Sequence, residues 1–300
     1  MQYRRFGRTE LQVSAVSLGG AYLMGDGSVD PIENAGLILE SAQLVGVNYI
    51  DTAPLYGDSE VLLGKALKGF RSDMMISTKV GFDPQDFDYR SESVLASIER
   101  SLKRLGVDKL SVAQIHEVNL AGWERIMEPG GTLEGLRIAQ EKGLCSYIGI
   151  TGRALPLLSQ LASTGEFDTV LIYHDYHPCR RLAAKSLLPA AMLNDMGVVV
   201  ATILAGGLYV EGISNKSALR FLSESERANA EQILDRLLLE DSTLPQSAFR
   251  YVLADGRVTT ASSGAANVEQ LMEVVSAADI GPLSEACMQL INYTPSLKKD

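Results

Sequence analysis

A single (β/α)8 TIM barrel of the α/β class, carried by residues 1–300 as one domain and preceded by an N-terminal hairpin, is the fold this sequence predicts. Three observations predict it. Eight short, β-branched apolar runs recur along the chain, polar turns and amphipathic helical stretches lie between them, and no Pro/Gly/Ser-rich linker divides them. Strands that are apolar throughout belong to a parallel sheet buried on both faces, and the alternating helices supply its crossovers. Eight such units in 300 residues fit a closed barrel better than an open doubly wound sheet.

The runs, in order, are "VSAVSLG" (13–19), "VNYID" (47–51), "MMISTKV" (74–80), "LSVAQIHE" (110–117), "SYIGIT" (146–151), "DTVLIYH" (168–174), "GVVVAT" (197–202) and "RVTTASS" (257–263). Helical spacing is carried by "PIENAGLILESAQLVG" (31–46), "SESVLASIERSLKRLG" (91–106), "TLEGLRIAQEKG" (132–143), "LAAKSLLPAAMLNDMG" (182–197) and "NVEQLMEVVSAA" (267–278). Several open on Ser, Thr, Asn or Pro and close on Gly, the residues that cap helices. The polar, Ser-rich stretch 212–228 reads either as a loop that folds over a bound small molecule or as a plain surface loop.

Bulk composition narrows the function classes. With 46 % hydrophobic and 21 % charged residues the chain has ample material for a core. Its 27 basic against 37 acidic residues leave a net charge of −10, which repels nucleic acid and anionic membranes unless a local basic patch intervenes. The basic runs Arg4–Arg5 with Arg8, Arg180–Arg181 and Lys298–Lys299 are too small for that. No signal peptide or spanning stretch is visible, so a cytoplasmic location is expected. Cys145, Cys179 and Cys287 read as reduced thiols.

A barrel of this kind builds its site at the C-terminal ends of its strands. Those ends carry Asp51, then Tyr56 in the following loop, Lys79, His116, Thr151, Tyr173 and His174, Thr202, and Ser262–Ser263. A phenol is a poor acid at neutral pH, but a nearby ammonium stabilises its phenolate and a carboxylate can hold that ammonium. Asp51, Tyr56, Lys79 and His116 therefore suit proton transfer to or from a carbonyl or alcohol. Each also has a plain structural reading: Asp51 as a turn residue, Lys79 as a solvated lysine, His116 as a core histidine bonded to backbone. Four at one rim favour the chemical reading.

These segments carry a resemblance. "NYIDTAPLYG", "ISTKVG" and "VAQIHEVN" resemble, in order and spacing, the catalytic segments of the aldo-keto reductases, and "YRRFGRTELQVSAVSLGG" resembles that family's opening. "GITGRALPL", "LIYHDY" and "ILAGGL" are similar to the L-galactose, L-fucose and D-threo-aldose 1-dehydrogenase branch. The resemblance implies a (β/α)8 barrel binding an extended nicotinamide coenzyme without a Rossmann domain, in keeping with the lack of a G-x-G-x-x-G turn. It makes Tyr56 the general acid/base, tuned by Lys79 and Asp51, with His116 orienting the substrate oxygen. It also implies oxidation of an aldose at C1 to the lactone. An NADPH-dependent carbonyl reductase is the alternative, a silent coenzyme-binding regulatory subunit a more distant one, and a Schiff-base aldolase using Lys79 the last.

Coenzyme residues follow from the same resemblance. Thr151 and Gly152 are expected at the nicotinamide carboxamide and Tyr173 against its ring, with Gly20 and the loop residues Thr202, Leu204 and Gly206 also expected to bind the coenzyme. "SSGAANVEQL" supplies Ser263, Gly264, Ala265, Ala266, Asn267 and Gln270 for the diphosphate and adenosine. NADP users place Lys or Arg there; Ala265, Ala266 and Asn267 instead point to NAD, with NADP possible through a basic residue from elsewhere, such as Arg257. Tyr22 and Trp123 either wall a sugar pocket or cap the barrel, and His174 and Tyr176 are expected to line that pocket. No metal is expected, because His174 and His177 lie three apart on a strand end and point oppositely. Expected partners are thus a small sugar or carbonyl substrate, with no nucleic acid and no membrane.

Overall fold

Eight parallel strands close on themselves in the computed structural model, which describes residues 1–68, 74–84 and 86–294. They are β1 (Val16–Gly19), β2 (Tyr49–Asp51), β3 (Met75–Val80), β4 (Leu110–Ile115), β5 (Cys145–Gly152), β6 (Thr169–Tyr173), β7 (Gly197–Ala201) and β8 (Thr260–Ser263). Ser262 on β8 lies opposite Ser17 on β1, which completes the ring. The predicted (β/α)8 barrel is therefore the fold, and every predicted run contributes a strand to it.

The first run divides between two elements. Tyr3–Arg5 pairs antiparallel with Gln12–Ser14 as the expected hairpin, and β1 starts only at Val16. Ser14 marks the break: its hydroxyl bonds the Val16 carbonyl, and the Asn48 side chain takes its N–H. The hairpin then stoppers the lower end of the barrel. Phe6 is fully buried with Val13 against Tyr49, Val112, Leu171 and Val199, its ring edge-on to Tyr49 at 5.3 Å. Gly197 is the residue that admits it, since a Cβ there would overlap the Phe6 ring.

Outside the barrel, Pro31–Leu44 is capped by Asp30, whose carboxylate accepts from the Ile32 N–H at 2.9 Å, and Ser91–Leu105 ends at Gly106 with φ 67°. Two expectations, one of a helix and one of a loop, need correction. Residues 182–197 form a 3-10 turn, Leu182–Lys185, and a helix, Leu187–Leu193, because Pro189 lacks an N–H and is tolerated only in a first turn. Residues 212–228 are not a plain loop: Lys216–Leu219 is helical, and Ser223 with Glu226 forms a capping box that starts Glu224–Leu237.

Left-handed backbone occurs at both ends of the barrel, at Glu10 and Asp195 below and at several positions of the upper rim. Glu117, His174 and Thr202 follow β4, β6 and β7 with φ of 54°, 63° and 53°, a left-handed backbone that non-glycine residues adopt at a cost and that clusters at functional sites. Among the described residues no helix is long and apolar enough to cross a membrane. Cys145, Cys179 and Cys287 are free and buried; Lys298–Lys299 lie outside the described residues.

Candidate active site

Asp51 ends β2, Lys79 is the last but one residue of β3, and His116 follows β4 directly, so three strand ends aim side chains at one point. A tight turn after β2, in which the Tyr56 N–H bonds the Ala53 carbonyl at 3.1 Å, brings Tyr56 over the same point. Lys79 Nζ donates to Asp51 Oδ2 at 2.6 Å and to the Thr52 carbonyl at 2.9 Å, and it lies 4.7 Å from the centre of the Tyr56 ring. His116 stands edge-on to Tyr56, ring centres 6.0 Å apart. The structure thus gathers all four residues that the sequence singles out for proton transfer.

Burial and charge act together on this group. Burial lifts the Tyr56 phenol above its ordinary value, and Lys79 pulls it partway back. Burial also works against the Lys79 ammonium, but Asp51 and Tyr56 outweigh it and hold lysine above its usual range. His116 is pushed down to about 3, first by burial and then by Lys79. It is therefore a neutral imidazole at any physiological pH, able to donate from one nitrogen while staying uncharged.

A cavity of about 430 Å3 opens from Asp51 and Tyr56 and extends to the first turns of the helix Val268–Ile280. That volume is within the range of small-molecule sites. Thr202, Leu204 and Gly206 line one wall; Ser263, Gly264, Ala265 and Gln270 line its far end, and Tyr22 faces it too. Asn267 caps the helix by accepting from the Gln270 N–H at 2.9 Å, and Gln270 in turn accepts from the Ala266 N–H at 2.9 Å. Ala266 and Asn267 thus shape this end without forming the wall.

Other expected residues stand apart from the cavity wall. Gly20 is buried behind it, its carbonyl accepting from the Ser59 hydroxyl at 2.7 Å, while Gly19 and Ala21 face the space. Thr151 and Gly152 end β5 on the inner side of the rim and are buried. Tyr173 is half-buried there, its hydroxyl donating to Glu117 Oε1 at 2.5 Å. His174 stacks on Phe221 with ring centres 4.5 Å apart, and His177 bonds the Tyr209 hydroxyl at 2.9 Å. Trp123 packs half-buried against the hydrophobic core.

Tyr176 is a correction: it is buried and its hydroxyl donates to Asp255 Oδ2 at 2.5 Å. The turn that diverts it is fixed by Asp175, which is held by Arg180 at 2.7 Å and Arg153 at 3.2 Å. Residues outside the sequence expectation also reach the cavity. Pro245 and Phe249 come from the helix Leu244–Leu253, Val210 from the loop after β7, and Glu273 from the second turn of the last cavity helix. Their sequence surroundings look like ordinary helix faces and give no signal.

Comparison with known proteins places these features in context. Residues 15–293 match the aldo/keto reductase family. L-galactose dehydrogenase of Arabidopsis thaliana is 30 % identical over 288 residues, covering 92 % of this chain and 88 % of the relative. L-glyceraldehyde 3-phosphate reductase of Escherichia coli K12 is 30 % identical over 309 residues, covering 92 % and 87 %. The holo form of an aldo-keto reductase from Bacillus halodurans superposes with a TM-score of 0.81 at 26 % identity, covering 99 % of this chain and 97 % of that one.

Proposed function

The chain belongs to the aldo/keto reductase family, and we propose that within it the protein is an NAD-preferring dehydrogenase that oxidises an aldose at C1 to the lactone. One observation carries the reading. The buried Asp51–Lys79 pair sets its ammonium beside Tyr56 at one end of a cavity whose other end is a helix N-terminus.

A nicotinamide coenzyme suits that space, because a diphosphate is stabilised at the positive end of a helix while the reactive ring must lie beside the proton-moving group. When bound, it supplies the hydride acceptor. The residues of the chain do the rest. Tyr56 acts as the phenolate, which the Lys79 ammonium stabilises, and becomes the phenol on taking the proton of the C1 hydroxyl; Asp51 anchors Lys79, and neutral His116 orients the substrate oxygen by donating to it. Positioning of both partners accounts for much of the rate.

Preference for NAD is supported by what stands near the adenosine end. Ala265, Ala266 and Asn267 offer no cation, and among the described residues the cavity lining holds the Glu273 carboxylate but no lysine or arginine of the kind a 2′-phosphate needs. The sugar reading is supported by the similarity to L-galactose dehydrogenase. Its test is a panel of aldoses with NAD and with NADP, followed by mass spectrometry of the product. Lactone formed faster with NAD is expected; aldehyde reduction with NADPH and no aldose oxidation would replace this reading with the carbonyl-reductase one, which the similarity to L-glyceraldehyde 3-phosphate reductase favours.

A further inference from the structure

One buried polar residue beneath the four has no part in the reading above. Gln114 faces the barrel interior from β4, opposite Lys79 on β3 and Gly149 on β5, and it is fully buried. Its Nε2 donates to Asp51 Oδ1 at 2.8 Å and to the Ser77 hydroxyl. Lys79 donates to the other oxygen of the same carboxylate. Asp51 is thus held from both sides.

This arrangement is kept at a cost. A carboxylate in an ion pair only accepts, so the amide must turn its NH2 toward Asp51. Gln114 Oε1 is left buried with no partner among the described residues, a state that folded proteins seldom tolerate without a reason. The adjacent strand carries no side chain here: a Cβ on Gly149 would collide with the Thr169 hydroxyl and would also crowd Gln114 Cγ at 3.1 Å.

We propose that Gln114 is a positioning residue for proton transfer: by engaging Asp51 Oδ1 it leaves Lys79 only Oδ2, and so keeps the ammonium between the carboxylate and Tyr56. Without the amide, both oxygens would draw the ammonium inward, away from the phenol, whose proton would then be held more tightly. The titratable and charged groups facing this assembly are Asp51 and Tyr49 on β2, Lys79 on β3, His116 and Glu117 after β4, Tyr173 on β6, and Tyr89, whose hydroxyl bonds the His116 carbonyl. Gln114 is the neutral donor set against the carboxylate among them.

The inference rests on the roles proposed for Tyr56, Lys79 and Asp51, but not on a sugar substrate. Its test is therefore reduction of para-nitrobenzaldehyde, with kcat/KM followed against pH and coenzyme binding followed by fluorescence. Loss of turnover in Tyr56→Phe ties the alkaline limb of the wild-type profile to the phenol. In Gln114→Met that limb should move up by about one pH unit and the plateau should fall about tenfold, with coenzyme affinity unchanged. Gln114→Glu, which keeps length and polarity but sets a second carboxylate beside Asp51, should move the limb at least as far. Ser77→Ala, which spares the Gln114–Asp51 bond, should leave it in place.

A limb at the wild-type position in either Gln114 variant, or an equal shift in Ser77→Ala, overturns the proposal. Wild-type turnover in Tyr56→Phe would instead remove the reading of Tyr56 itself, and the role of Gln114 with it.

Discussion

Lys79 stands 4.7 Å from the centre of the Tyr56 ring and gives its ammonium to Asp51 at 2.6 Å. One cation thus serves a phenol and a carboxylate at once. Tyr56→Phe keeps the ring against which Lys79 rests but removes the hydroxyl proposed to move the proton. Turnover should fall by about 10²- to 10⁴-fold, while the NAD dissociation constant stays put in a fluorescence titration. Collapse of coenzyme binding would make Tyr56 a structural residue.

Lys79→Met should harm the fold as well as the reaction. Lys79 is 1 % exposed, and its loss leaves the Asp51 carboxylate buried without its counter-charge, at a cost of about 3–5 kcal/mol. Asp51→Asn added to Lys79→Met should recover much of that stability and none of the activity. Urea unfolding of the two variants makes the comparison, and equal midpoints would count against a charge-based cost.

The direction of reaction should show in its pH dependence. Burial raises the Tyr56 phenol more than Lys79 lowers it, so the protonated form dominates at neutral pH. Oxidation needs the phenolate, and its kcat should climb with pH by about tenfold per unit from about pH 7 to 9 while proton transfer limits the rate. Reduction needs the phenol and should be nearly flat over the same interval. A flat oxidation profile would assign the base to another group.

Acid should loosen the fold through its histidines. Burial pushes His116 and His177 down to about 3 and His174 to about 4. An imidazole depressed in the folded state is protonated first in the unfolded chain, so stability is lost as pH falls below the ordinary histidine value near 6.5. By pH 5 each of His116 and His177 should remove up to about 2 kcal/mol, and the more open His174 less. Urea midpoints at pH 7.5 and pH 5 would have to coincide for this to be wrong.

Coenzyme choice is open to a single change. Ala266 is only partly buried, and its backbone bonds run through the N–H and carbonyl groups. Ala266→Arg should tighten NADPH by about tenfold, as one charge-assisted contact would, with NADH altered far less. Equal effects on both would mean that residue 266 lies away from the 2′ position.

The barrel was legible because its strands are separate apolar runs and its helices start at recognisable caps. Asp51, Tyr56, Lys79 and His116 were legible because the fold assigns strand ends to one rim. Gln114 left a signal of the same kind: it sits two residues before His116 in "LSVAQIHE", hence on the same face, an amide inside an apolar run. The place of Tyr176 depends on Asp175 pairing with Arg153 and Arg180 and on its own bond to Asp255, which lies 79 residues further on, and no local periodicity encodes either. Phe249 was invisible for a similar reason. A helix face that looks like core packing turns out to border the cavity.

The Phe6 hairpin makes the lumen a blind alley. With Phe6 filling the lower end, no passage runs through the barrel there from one face to the other. Residues that never touch the cavity beside Tyr56 thus help decide that chemistry belongs to the opposite rim.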